Sequence, residues 1–188
     1  MLILVKTKNY LQMKKILTIV IAMLTLAASA QKVEARFTES KFIKATGKTL
    51  EAEGTFKLYS ADKMEMTYTQ PAGDYFKIDG KTLSMNLRGK KSAVDTEKNA
   101  TVRIQRNTLM NCINGKWEQA ATDNNAETSV VEKGGNKVVT LSVKKAAPRG
   151  YSKITITYCK SDNFPVELVF EEFNGTVTTY KMANIVKK

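Results

Sequence analysis

The sequence predicts a mainly β chain of roughly nine to eleven short antiparallel strands with one or two helices. Three observations predict it. Period-two alternation of apolar and polar residues recurs through most of residues 31–188, turn residues punctuate it at short intervals, and no repeat, low-complexity tract or Pro/Gly-rich linker interrupts it. Proline occurs only at Pro71, Pro148 and Pro165, each at a strand margin where the missing N–H does no harm.

The first thirty residues read as an export leader. From Met13, "MKKILTIVIAMLTLAASA" sets Lys14 and Lys15 before an apolar run from Ile16 to Ala28, then small residues up to Ala30. That is the layout of a secretory signal with an A-x-A cleavage site, and the run is too short to span a bilayer. Met13 is the expected initiator and 31–188 the one expected domain, exported and long enough for a hydrophobic core. No cysteine follows the apolar run, which argues against a lipoprotein anchor.

Beyond the leader, "VEARFTESKF" is strand-like. In "TLEAEGTFKLYS", Leu50, Ala52, Phe56 and Leu58 share one face. The next strand carries Met64, Met66 and Tyr68 and ends at "QPAGD", a turn sequence. A strand around Tyr75–Ile78 meets Asp79-Gly80, which suits a tight hairpin, and returns through Leu83, Met85 and Leu87. Residues 48–88 thus form an expected four-stranded meander. From 99 to 113 strict alternation fails, and Asn114-Gly115 makes a helix stop, so a short helix is expected over 106–114. "WEQAATDNNAET" is a polar helix or loop. Strands resume at 128–132 and 137–144, joined by Gly134-Gly135, and in "YSKITITYC", "PVELVFEEF" and "NGTVTTYKMANI".

Charge and residue usage exclude several function classes. Of thirty basic residues four lie in the leader, which holds none of the eighteen acidic ones, so 31–188 carries 26 against 18, a net +8. The charges are scattered along strands, a solvated basic face, and export removes nucleic acid as a partner. Histidine is absent, and with it the commonest general base and metal ligand. Asp74 with Asp79, or Glu171 with Glu172, lie beside turns or on exposed strand positions rather than across a cleft. Ser60, Ser84 and Ser142 have no nearby base. A hydrolase is therefore disfavoured. Cys112 and Cys159 either form a disulfide or remain two buried free thiols.

The informative feature is the apolar strand face. Methionine is a poor strand former, yet Met64, Met66 and Met85 share a face with Phe56, Leu58 and Tyr68, and its flexible thioether suits irregular or changing partners. An ordinary core closed by a second layer is the alternative, and composition alone favours it. A curved sheet lined this way and plugged by a short helix would be a pocket for acyl chains.

"GKTLEAEGTFKLYSADKMEMTYTQPAGDYFKIDGKTL", with its "TQP…DGKTL" frame, and "FPVELVFEEFNGTVTTYKMANI" resemble the periplasmic outer-membrane lipoprotein carriers, the LolA family, in its shorter Bacteroidetes branch. The resemblance covers about a third of the chain. It implies an open antiparallel half-barrel of about eleven strands with one to three short helices as a lid, and a monomer that binds acylated lipoproteins or lipids. It also implies an inner-membrane release transporter and an outer-membrane acceptor as partners, no cofactor, and no catalysis. On that reading Phe56, Leu58, Met64, Met66, Tyr68, Phe76, Met85 and Leu87 form the acyl-binding wall, and Leu109, Met110 and Ile113 belong to the lid. Ser60 stands where the family carries an arginine that holds its lid shut, and no helix precedes the first strand. A free lipid or glycolipid as cargo, or a non-catalytic envelope binding or assembly module, are the alternatives.

Overall fold

The structure, a computed structural model, describes residues 32–144 and 150–188; the expected leader, its start at Met13 and Pro148 lie outside them. Among the described residues eleven strands follow one another, with a 3-10 turn (Thr96–Lys98) and a pair of α-helices between the sixth and seventh. They are β1 (Val33–Ile43), β2 (Lys48–Ser60), β3 (Lys63–Gln70), β4 (Tyr75–Asp79), β5 (Thr82–Leu87), β6 (Lys90–Asp95), β7 (Ala126–Lys133), β8 (Asn136–Val143), β9 (Tyr151–Cys159), β10 (Pro165–Glu172) and β11 (Val177–Lys187). The helices are α1 (Ala100–Ile113) and α2 (Trp117–Asp123).

All eleven strands form one antiparallel sheet in the order β6-β5-β4-β3-β2-β1-β11-β10-β9-β8-β7. The first strand lies at the centre and the last pairs with it, so the chain steps outward in both directions by hairpins. The two outer strands, β6 and β7, never meet. The fold is mainly β, as the alternation predicts, and the sheet is open with a short helical cover, as the family resemblance implies.

Register lines up the apolar residues across strands. One row runs Ala35, Phe56, Met66, Phe76, Met85 from β1 to β5, and the next runs Val33, Leu58, Met64, Ile78, Leu83. On the other half, Leu168, Ile156 and Val139 form a row, and Phe170, Ile154 and Leu141 another. Because strand side chains alternate between faces, these rows share one face, and they join one buried cluster with α1 and α2. The opposite face carries the polar alternates, among them Arg36, Thr38, Thr55 and Lys57.

The helical segment differs from the sequence expectation. It begins at Ala100 rather than 106, because the Asn99 side chain accepts the Val102 N–H at 3.2 Å and caps the first turn. The β-branched Thr101, Val102 and Ile104 disfavour helix intrinsically, and packing of Met110, Cys112 and Ile113 on the sheet overrides them. The polar stretch after it also becomes helix, with Ala120 and Ala121 buried. Strand β6 has no apolar face, being exposed along its whole length, and periodicity gives no sign of it.

A single glycine sets the close approach at the sheet centre. Gly54 lies between Phe37 and Tyr68 in a cross-strand row, and their rings meet edge to face at 5.1 Å. A Cβ there would run into the Thr67 carbonyl and sit 2.9 Å from Phe37 Cε1. Gly54→Ala should therefore cost about 2–3 kcal/mol, the range for overpacked cores, read as a lowered midpoint in chemical denaturation; an unchanged midpoint would mean the rings and strand shift freely.

Candidate functional site

The turns define two ends of the sheet. At one end lie β2–β3, β4–β5 and β9–β10, and α1 crosses the apolar face there. At the other lie β1–β2, β3–β4, β5–β6 and β10–β11. Three polar anchors hold α1. Arg106 Nη1 donates to the Gly80 carbonyl at 3.1 Å and to Thr96 Oγ1 at 2.8 Å, and its Nη2 reaches Glu97 Oε1 at 3.3 Å. Asn114 Nδ2 donates to the Ala61 carbonyl at 3.0 Å. The Tyr158 hydroxyl donates to the Cys112 carbonyl at 2.8 Å. Ser60 plays no part, since its hydroxyl donates to Asp62 Oδ1 at 2.6 Å. The cation that ties helix to sheet therefore comes from the helix.

Beneath α1 the face is sealed. Of the expected wall, Phe56, Leu58, Met64 and Met66 are buried against it; Tyr68, Phe76 and Met85 are half-buried; Leu87 is 44% exposed. Of the expected lid, Met110 and Ile113 are buried and Leu109 packs against the same cluster half-buried. The structure thus brings wall and lid together, with Met64 and Met66 packed as core between two layers. Sequence alternation put these residues on one face, and what it could not show is where along that face the helix ends.

Past α1 the apolar face continues as a band of aromatics. Tyr151 and Phe170 lie 5.0 Å apart, Phe170 and Tyr180 6.3 Å, and the Tyr68 hydroxyl donates to Glu39 Oε2 at 2.7 Å. Burial pushes the Tyr68 and Tyr180 phenols well above their ordinary range, and Tyr151 up to about 12. All three stay neutral at ordinary pH, so the band offers hydroxyls without charge.

The band opens into a cleft of about 310 Å³ between the β1–β2, β3–β4 and β5–β6 turns. Its apolar lining is Ile43, Leu50, Ala52, Pro71 and Leu87, beside Tyr68. Among site residues the sequence reading named only Tyr68 and Leu87 here; Leu50 and Ala52 were legible by their alternation with Phe56. No cluster of His, Cys, Asp or Glu suited to a metal occurs among the described residues.

The cysteines correct one alternative: both are free thiols. Alternation along β9 turns Cys159, half-buried, to the face opposite Tyr158, while Cys112 is buried on the sheet-facing side of α1. Burial pushes the Cys112 thiol up to about 12, so it stays protonated and shielded at pH 8. One thiol should therefore react quickly with a water-soluble disulfide reagent at pH 8, and Cys112 only when α1 lifts. Arg106→Ala, by removing an anchor, should speed the slow thiol several-fold; equal fast reaction of both in the unmodified protein would contradict the seal.

The family model described as "Outer membrane lipoprotein carrier protein LolA" matches residues 28–188. No curated protein matches the chain. Similar solved structures include a LolA superfamily protein from Nitrosomonas europaea, at 8% identity over 84% of this chain and 86% of that one, TM-score 0.37. Another is lipoprotein LppX of Mycobacterium tuberculosis, at 11% identity over 81% and 85%, TM-score 0.36. A third is MucB of Pseudomonas aeruginosa in complex with MucA, at 6% identity over 84% of this chain and 52% of that one, TM-score 0.49.

Proposed function

The chain belongs to the LolA family of outer membrane lipoprotein carrier proteins, and from that premise we propose that it is a non-catalytic periplasmic carrier that shields acyl chains on its apolar sheet face. The chains would come from an inner-membrane transporter on lipoproteins and pass to an acceptor at the outer membrane. The observation that carries this reading is the helix α1, held by three polar anchors, over an apolar face that runs on into an open cleft. Phe56, Leu58, Met64 and Met66 are the wall that α1 covers when no cargo is bound, and Tyr68, Phe76, Met85 and Leu87 are the part nearest the cleft.

Magnitudes favour exchange between helix and cargo. Covering an acyl chain gains about 0.8 kcal/mol per methylene, so a chain of about fourteen gains roughly 11 kcal/mol. Lifting α1 exposes Leu109, Met110 and Ile113, each worth about 1.5–3 kcal/mol, and breaks five hydrogen bonds at about 1 kcal/mol each, in sum roughly 10–14 kcal/mol. The two nearly balance. A carrier needs that balance, since cargo held far more tightly would not be released.

Organic extraction of the purified protein followed by mass spectrometry tests the reading. Acyl-bearing species should accompany the protein, and a clean extract from protein purified without detergent would count against it. The cleft's size, at the low end for ligand pockets, favours a single-chain free lipid as the second reading of the cargo, and the extracted masses separate the two. Leu87→Glu should fold with an unchanged melting temperature yet retain several-fold less lipid. Met66→Glu, with Met66 only 4% exposed, should lose most of the domain's stability, because it buries a charge without a partner.

A further inference from the structure

The far end of the sheet combines exposed apolar side chains with unpaired cations. Phe42 at 41%, Leu50 at 38%, Leu87 at 44% and Phe173 at 40% are among the most exposed large hydrophobics of the chain. All four lie at or beside turns of this one end: Phe42 pairs with Val177, Leu50 with Lys41, Leu87 with Lys90, and Phe173 follows β10. The turns are neighbours in space. The β1–β2, β3–β4 and β5–β6 turns line the cleft, and the β10–β11 turn touches the β1–β2 turn, where a Cβ on Gly175 would meet the stem of Lys44.

The same turns are basic. The β1–β2 turn carries Lys44 and Lys48, and the β5–β6 turn Arg88 and Lys90, with no acidic residue in either stretch. None of these four forms an ion pair in the structure. Ion pairs form at both ends, Lys63 with Asp79, Lys160 with Glu132 and Lys187 with Asp162 at the helix end, and Lys144 with Glu127 and Lys153 with Glu171 at the far end, but none takes in these four cations. Acids at the far end have other partners: Asp74 is buried and accepts the Arg88 N–H, Glu39 accepts the Tyr68 hydroxyl, Glu51 the Ser40 hydroxyl, and Glu172 the Asn174 amide.

We infer that this end is a docking surface for an anionic lipid bilayer, with Phe42, Phe173, Leu50 and Leu87 entering the interface and the lysines and arginine meeting headgroup phosphates. Apolar side chains ringed by flexible cations fit that partner, since interfacial binding sums apolar burial and attraction to anionic lipid. The mouth of the cleft then opens against the membrane, so an acyl chain passes between bilayer and sheet with little exposure to water. This extends the carrier reading and rests on it only for that use.

Sedimentation with vesicles tests the docking. The detergent-free, lipid-extracted protein should pellet with vesicles of phosphatidylcholine and phosphatidylglycerol, and much less with phosphatidylcholine alone. Binding should fall steeply in about 1 M salt, where the screening length is about 3 Å. Phe42→Ser with Phe173→Ser, and separately Lys44→Glu with Lys48→Glu, should each weaken binding about tenfold or more without changing the circular dichroism. The charge pair keeps the test sharp even where the aromatic pair harms folding. No pelleting, equal pelleting with both vesicle types, or full binding by a folded Lys44→Glu/Lys48→Glu protein would overturn the inference. Vesicle binding by a protein that retains no acyl species would leave the inference standing and sink the carrier reading; acyl retention without vesicle binding would do the reverse.

Discussion

Everything in this structure depends on how an open sheet covers its apolar face. Eleven antiparallel strands that do not close leave one side lined by two long rows of hydrophobic residues, and water must be kept from them. One fourteen-residue helix, α1, does so at the helix end, and the seven-residue α2 leads from there to the start of β7. The remainder is covered in part by aromatic rings on one another and otherwise opens to a cleft. The seat of α1 is thus both the core of the domain and the limit of its site.

That double role accounts for the side chains found there. Met64 and Met66 are packed as tightly as any core residue, 1% and 4% exposed, so their presence is no sign of a standing pocket. A thioether chain tolerates a change of neighbour better than a branched one, which would suit the proposed exchange of helix for acyl chain. The anchors fit the same picture, for they sit at turns and on the helix backbone. Arg106, Asn114 and Tyr158 bind carbonyls of Gly80, Ala61 and Cys112, and none interposes a charge between the apolar layers.

Much of the fold was legible because half-buried strands write their burial into alternate residues. The faces of β2, β3, β5, β9 and β10 follow directly from that period, and the Asp79-Gly80 and Gly134-Gly135 turns join strands where expected. Strand β6 escaped because an edge strand exposed on both faces needs no pattern. The start of α1 was hidden by β-branched residues whose intrinsic preference yields to packing, although Asn99 was a readable cap. At the site, alternation named the wall but not its depth. Whether Leu58 or Leu87 lies under the helix depends on where α1 crosses, which is decided by Arg106 and Asn114 reaching turns 26 and 53 residues away. Contacts of that separation leave no local signature. The freedom of both thiols is a matter of strand parity at Cys159 and of helix burial at Cys112, and the spacing of the two residues says nothing of either.

The central claim is that α1 must leave the sheet for an acyl chain to reach the wall. Asn114 and Ala61, joined by a 3.0 Å hydrogen bond, allow the helix to be tied down. In a Cys112→Ala, Cys159→Ala background, Ala61→Cys with Asn114→Cys can be bridged by a short thiol crosslinker and titrated with a fluorescent long-chain acyl probe. The account predicts that the uncrosslinked protein binds the probe and the crosslinked protein binds at least tenfold more weakly. Equal affinity in the two would contradict it, and would confine acyl binding to the cleft beyond the helix.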